Sequence, residues 1–134
     1  MTRNLGSTAG AILGAGVLLF VGTGCGRSDG LASVTGTVRL DGKPLVGAQV
    51  QFTVQGQPPS YGRTDANGYY EMCRTRSVSG ATIGTNRVSV RTFRDLGDRI
   101  LPETLPARYN TKTQLTCDVP AEGKTDANFD LKAP

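Results

Sequence analysis

The sequence contains no histidine. That absence excludes Ser-His-Asp and Cys-His catalytic sets, and with them the ordinary histidine-containing zinc sites. A serine or cysteine nucleophile would need another base, and no motif supplies one. Carboxylate pairs are equally scarce. Asp95 and Asp98 fall in a long connection, and Asp126 and Asp130 lie beside a turn and a strand. That is the pattern of solvated surface acids, not of two carboxyls converging on a cleft. Asp65-Ala66-Asn67-Gly68 begins like a calcium loop, but the closing glutamate such a loop requires is replaced by Arg76. No catalytic residue, metal ligand or cofactor is assigned, and a non-enzymatic role is expected.

Long Leu/Ala/Glu-rich runs are also missing, so long helices are not expected. Basic runs are missing too. The net charge of +4 comes from 15 basic and 11 acidic residues, with nine of the arginines spread from Arg39 to Arg108. A nucleic-acid-binding arm would cluster them, so no nucleic-acid partner is expected. What the 134 residues do hold is 18 glycines and 7 prolines, a composition suited to one small domain of short strands joined by turns.

The N-terminus has a different character. Arg3 is followed by an uncharged, mostly apolar run over residues 9–22 (AGAILGAGVLLFVG). The run falls short of the roughly 20 residues a membrane-spanning helix needs, and fits the apolar region of a secretory signal. Val21-Gly22-Thr23-Gly24-Cys25-Gly26 then resembles the lipobox of bacterial lipoproteins, in which the cysteine is acylated and becomes the new N-terminus. Thr23 and Gly24 fit that pattern; Gly22 stands where a Leu-like residue is usual. The resemblance implies lipidation at Cys25 and a membrane partner held through the anchor. It places the domain on the periplasmic or outer side of a bacterial membrane, with Gly26 favouring the outer one. Cleavage by an ordinary signal peptidase, leaving a soluble secreted protein, is the alternative. Residues 1–24 are thus read as signal and residues 25–32 as a polar, glycine-containing tether.

Period-two alternation marks strands over residues 34–40, 48–54, 61–64, 69–73, 87–93, 115–119 and 127–131. Ala48, Val50, Phe52 and Val54 are expected to face a core, with Gln49, Gln51 and Thr53 outward. Val88 and Val90 are expected inside and the flanking arginines outside. Asp41-Gly42 and Asp65-Ala66-Asn67-Gly68 are turn sequences. The connection over residues 94–113 is long for structureless chain, so Ile100, Leu101 and Leu105 are expected to cover a core edge.

Two stretches carry a resemblance. Gly36, Val38, Gly42, Pro44, Leu45, Gly47, Ala48, Val50 and Phe52 follow one pattern, and Thr64, Asp65, Gly68 and Tyr70 a second. Together they resemble the carboxypeptidase regulatory-like domain, a transthyretin-like (prealbumin-like) module found singly in short bacterial lipoproteins. The resemblance implies an all-β, seven-stranded Greek-key β-sandwich over residues 33–132. It also implies a non-catalytic accessory, adhesion or ligand-binding role, although a fold does not fix a function. A protein or glycan of the cell envelope is the expected partner, and a purely structural envelope lipoprotein the alternative. Tyr61 and Tyr69, near Arg63, are candidates for a ligand surface, with core-edge packing as the other reading. An exported domain permits a Cys73–Cys117 disulfide. Against it, alternation turns Cys117 inward with Leu115 and Val119 while Cys73 lies opposite Tyr70 and Met72. Two separate thiols are the alternative.

Overall fold

The computed structural model describes residues 30–134. The expected signal and Cys25 lie outside the described residues. Within them the regular structure is strand apart from one 3₁₀ turn. It opens with β1 (Leu31–Ala32), β2 (Thr35–Leu40), β3 (Lys43–Pro44) and β4 (Gln49–Thr53), then β5 (Ser60–Arg63) and β6 (Tyr69–Glu71). β7 (Ala81–Thr82), β8 (Gly84–Arg91), β9 (Arg94–Asp95) and β10 (Ile100–Leu101) follow. A 3₁₀ turn (Ala107–Tyr109), β11 (Leu115–Val119) and β12 (Phe129–Leu131) complete the chain.

Alternation builds two main sheets. The first runs β11-β8-β4-β5 and is antiparallel throughout, with Val50 opposite both Gly62 and Val90. The second centres on β2, which pairs β3 and β6 antiparallel and β12 in parallel. The apolar rows meet between them, so that Val38, Val50, Phe52, Tyr70, Val88 and Val90 are all fully buried. Removing each such side chain from water is worth roughly 1.5–3 kcal/mol. Phe52 of β4 meets Phe129 of β12 edge-on at 6.4 Å, joining the two sheets through the core. At one corner, Tyr61 and Cys73 exchange both backbone hydrogen bonds at 2.8 Å, so the ladder of β5 passes into the chain leaving β6.

Two glycines are needed where they stand. A Cβ on Gly36 would lie 2.0 Å from the Ala127 carbonyl oxygen, because the chain entering β12 crosses directly over it. Gly68 closes the Asp65 turn at φ +74°, and a Cβ there would also strike the Val38 carbonyl. The Asp65 carboxylate accepts from the Asn67 and Tyr69 amides, which makes the turn an Asx turn.

Several expectations are corrected. Leu31 and Ala32 are not tether: both are buried, and β1 pairs with β7 inside what the alternation pattern leaves as a loop. β8 starts three residues before the expected strand and ends at Arg91, leaving Phe93 49% exposed. β12 starts at Phe129, two residues later than alternation suggests, although Ala127 is buried. In the long connection, Leu105 and Tyr109 enter the core as a cover. Ile100 and Leu101 do not. They pair with Asp95 and Arg94 in a small hairpin that stands off the body, with Ile100 61% exposed.

Candidate ligand-binding face

The outward row of the first sheet presents polar side chains at regular spacing. Because side chains alternate, β8 presents Thr85, Arg87, Ser89 and Arg91 outward, β4 presents Gln49, Gln51 and Thr53, and β5 presents Tyr61 and Arg63. Register aligns these in rows: Arg91, Gln49 and Arg63 lie side by side, as do Ser89, Gln51 and Tyr61. None of β4, β5 and β8 contains an acidic residue. Lys124 and Asp126, in the connection before β12, form the one salt bridge seen among the described residues. The arginines of the face therefore have no carboxylate within ion-pair distance.

Two shallow grooves mark it. The first, about 270 Å³, is lined by Gln49, Tyr61, Gly62, Arg63, Glu71 and Cys73. Tyr61 and Arg63 thus come together as the sequence suggests. Tyr69 does not join them: it projects from β6 on the same side as Glu71 but one repeat farther on, paired with Thr37 of β2 and 43% exposed. Arg63 Nη1 donates to the Gly47 carbonyl at 3.0 Å, and the Arg94 guanidinium reaches the same glycine. Burial, and secondarily the Arg94 charge, lowers the Arg63 pKa from its usual value.

The second groove, about 250 Å³, lies between β8, β4 and residues 110–113. β11 pairs with β8 only as far as Val88, and beyond that point the carbonyl edge of β8 would be bare. Side chains of the long connection cover it. Thr113 Oγ1 donates to the Val88 carbonyl at 2.6 Å, and Asn110 Nδ2 donates to the Val90 carbonyl at 3.4 Å. Arg87 Nη2 donates to the Thr113 carbonyl at 3.2 Å, fixing one arginine against the wall. Farther back, Glu103 ties the connection down. Its carboxylate accepts from the Thr92 amide and hydroxyl and from the Phe93 and Leu105 amides. Burial pushes the Glu103 pKa up, but these bonds outweigh it and hold it below the ordinary carboxylate value. Alternation identifies Gln51, Thr53, Arg87 and Arg91 as outward, yet it cannot show that residues 110–113 fold back to wall them in.

The two cysteines of the domain are free and are not brought together. Cys117 sits on β11 and Cys73 beyond β5, with β8, β4 and β5 between them. Strands lie about 4.8 Å apart, so the pair is well outside the ~7 Å Cα reach of a disulfide. Burial raises the Cys117 pKa, which keeps it a poor nucleophile. Among the described residues no three His, Cys, Asp or Glu side chains gather to hold a metal, and no helix is long and apolar enough to cross a membrane.

No protein-family profile matches the chain, and no curated protein matches it. Among solved structures it is similar to a 9R-lipoxygenase from Cyanothece PCC8801, at 17% identity and a TM-score of 0.41. The match covers 78% of this chain and 17% of the lipoxygenase. A likeness that weak carries no argument about fold or activity. The described residues form an all-β protein of two main sheets packed on a shared core, with arginines and neutral polar side chains on the outer side of β4, β5 and β8.

Proposed function

We propose that this protein is a non-catalytic, envelope-anchored lipoprotein module that binds a protein or glycan partner through the outer face of β8, β4 and β5. One observation carries the reading: Arg63, Arg87 and Arg91 project from β5 and β8 beside neutral hydrogen-bonding side chains, and none of them is ion-paired among the described residues, the bordering carboxylates being Glu71 at the first groove and Asp118, which accepts from Thr85. Unbalanced guanidinium groups beside amides and hydroxyls suit recognition of a polar, negatively charged surface. The seven strands of three or more residues (β2, β4, β5, β6, β8, β11 and β12) and the turn residues of the two resemblance motifs support a transthyretin-like Greek-key sandwich. Export and acylation at Cys25 complete the proposal.

The test is capture from intact cells by chemical crosslinking, using wild type and an Arg63→Ala/Arg91→Ala variant. Saturable capture of one partner by wild type, reduced in the variant, supports the reading. Recovery of the same abundant envelope components by both would point to a structural lipoprotein instead. Fatty-acid labelling of wild type and Cys25→Ser tests the anchor, and equal labelling would reject Cys25.

A further inference from the structure

We propose that the groove between β8, β4 and residues 110–113 is a subsite for an acidic sugar, in which Arg91 and Arg87 hold the carboxylate, sulfate or phosphate group. The inference rests on the reading of this face as a binding surface and names the ligand class it takes.

The lining contains no carboxylate and no large apolar side chain. Two arginines stand four residues apart on one strand, on the same side, with Ser89 between them. At about 3.3 Å per residue their Cα atoms are roughly 13 Å apart, and both long side chains border one groove. Arg87 spends one Nη2 contact on the neutral Thr113 carbonyl, which positions its fork and leaves donors free. Arg91 makes no side-chain hydrogen bond and no ion pair among the described residues. A planar guanidinium matches an oxyanion through paired N–H donors, and does so best where nothing competes for it.

Neutral groups supply the rest of a sugar's needs. Gln51, Thr53 and Ser89 are half-buried in the floor, where amides and hydroxyls can both donate to and accept from ring hydroxyls. The groove of about 250 Å³ lies just below the range of drug-sized ligand pockets, on the scale of one substituted ring. The floor is sheet and the wall is pinned to β8 through Thr113 and Asn110, so little ordering cost remains to be met on binding.

The experiment is titration calorimetry on the full chain in neutral detergent. The probes are a hyaluronan hexasaccharide, a chondroitin sulfate hexasaccharide, neutral cellohexaose and inorganic phosphate. The expected result is binding of at least one acidic oligosaccharide but not of cellohexaose, weakening as salt is raised. Arg91→Gln should lower that affinity at least about tenfold, as should Arg87→Gln, and Arg91→Lys should fall between. An unchanged melting temperature establishes that each variant is folded. Equal binding of neutral and acidic sugars, or arginine variants that bind like wild type, would overturn the proposal. Phosphate binding as tight as the best saccharide would also overturn it, since the floor would then contribute nothing. If Arg91→Gln leaves sugar binding intact while Arg63→Ala abolishes partner capture, this inference fails and the wider reading stands. If no variant on the face alters sugar binding or partner capture, both fail.

Discussion

The buried Tyr70 hydroxyl donates to the Ala127 carbonyl at 2.5 Å, joining residues 57 apart in sequence at the point where the chain crosses Gly36. Tyr70 lies opposite Gly36 in the β2–β6 pair, so a missing side chain on one strand and a large one on its neighbour solve the same packing problem. Gly36→Ala should destabilise the domain by about 3 kcal/mol, because the obstructing atoms are backbone. Tyr70→Phe should cost about 1–2 kcal/mol by leaving the carbonyl without its donor. Urea denaturation measures both, and a Gly36→Ala variant as stable as wild type would show that the crossing is not this tight.

Glu103 predicts an acid-sensitive loop. Its native pKa is depressed, so its contribution is fully present above the ordinary carboxylate value of about 4.3 and is lost as pH falls through the lower native value. Glu103→Gln should be less stable than wild type at neutral pH by roughly 1 kcal/mol, reduced by the group's partial exposure to solvent. The gap should shrink as pH drops below about 4. Thermal melts of the two proteins across that range provide the check, and a gap that is flat with pH would contradict the assignment.

The long connection should divide sharply by residue. Leu105→Ala removes a core side chain and should cost about 2–4 kcal/mol. Ile100→Ser, on the projecting hairpin, should change stability by no more than about 0.5 kcal/mol. Denaturant midpoints of the two variants would show the contrast.

The thiols should behave independently. A bridge between Cys73 and Cys117 would add about 4 kcal/mol in the chain-entropy model, so reductant would lower the melting temperature by more than about 10 °C. The free thiols seen here predict no shift. They also predict that Cys117 reacts with a thiol reagent only on unfolding, since it is buried with a raised pKa.

Much of this body was legible in the sequence, because period-two alternation is a direct consequence of strand geometry. Val38, Val50, Phe52, Val88, Val90 and Cys117 turn inward as the pattern requires. What alternation misses are pieces too short to show a period. Leu31–Ala32 reads as tether because two residues cannot alternate, yet burial against β7 makes it part of the domain. Ile100 and Leu101 are apolar and still project, since backbone pairing with β9 holds them in a hairpin away from the core. The parallel pairing of β2 with β12 is equally hidden. It depends on contacts such as Thr37 N–H to Asn128 Oδ1, 91 residues apart. The proposed binding face is half legible: Tyr61 and Arg63 follow from the sequence, but the Arg87–Arg91 groove needs a wall that only tertiary structure supplies.

The most direct measurement is photocrosslinking in intact cells, with a benzophenone amino acid placed at Tyr61 or at Asp130. Tyr61 belongs to the outer face of the first sheet, whereas Asp130 is exposed on the second. A saturable adduct formed from Tyr61 and absent from Asp130 is the result expected if β8, β4 and β5 carry the partner. Adducts from Asp130 alone, or indistinguishable adducts from both, would contradict it.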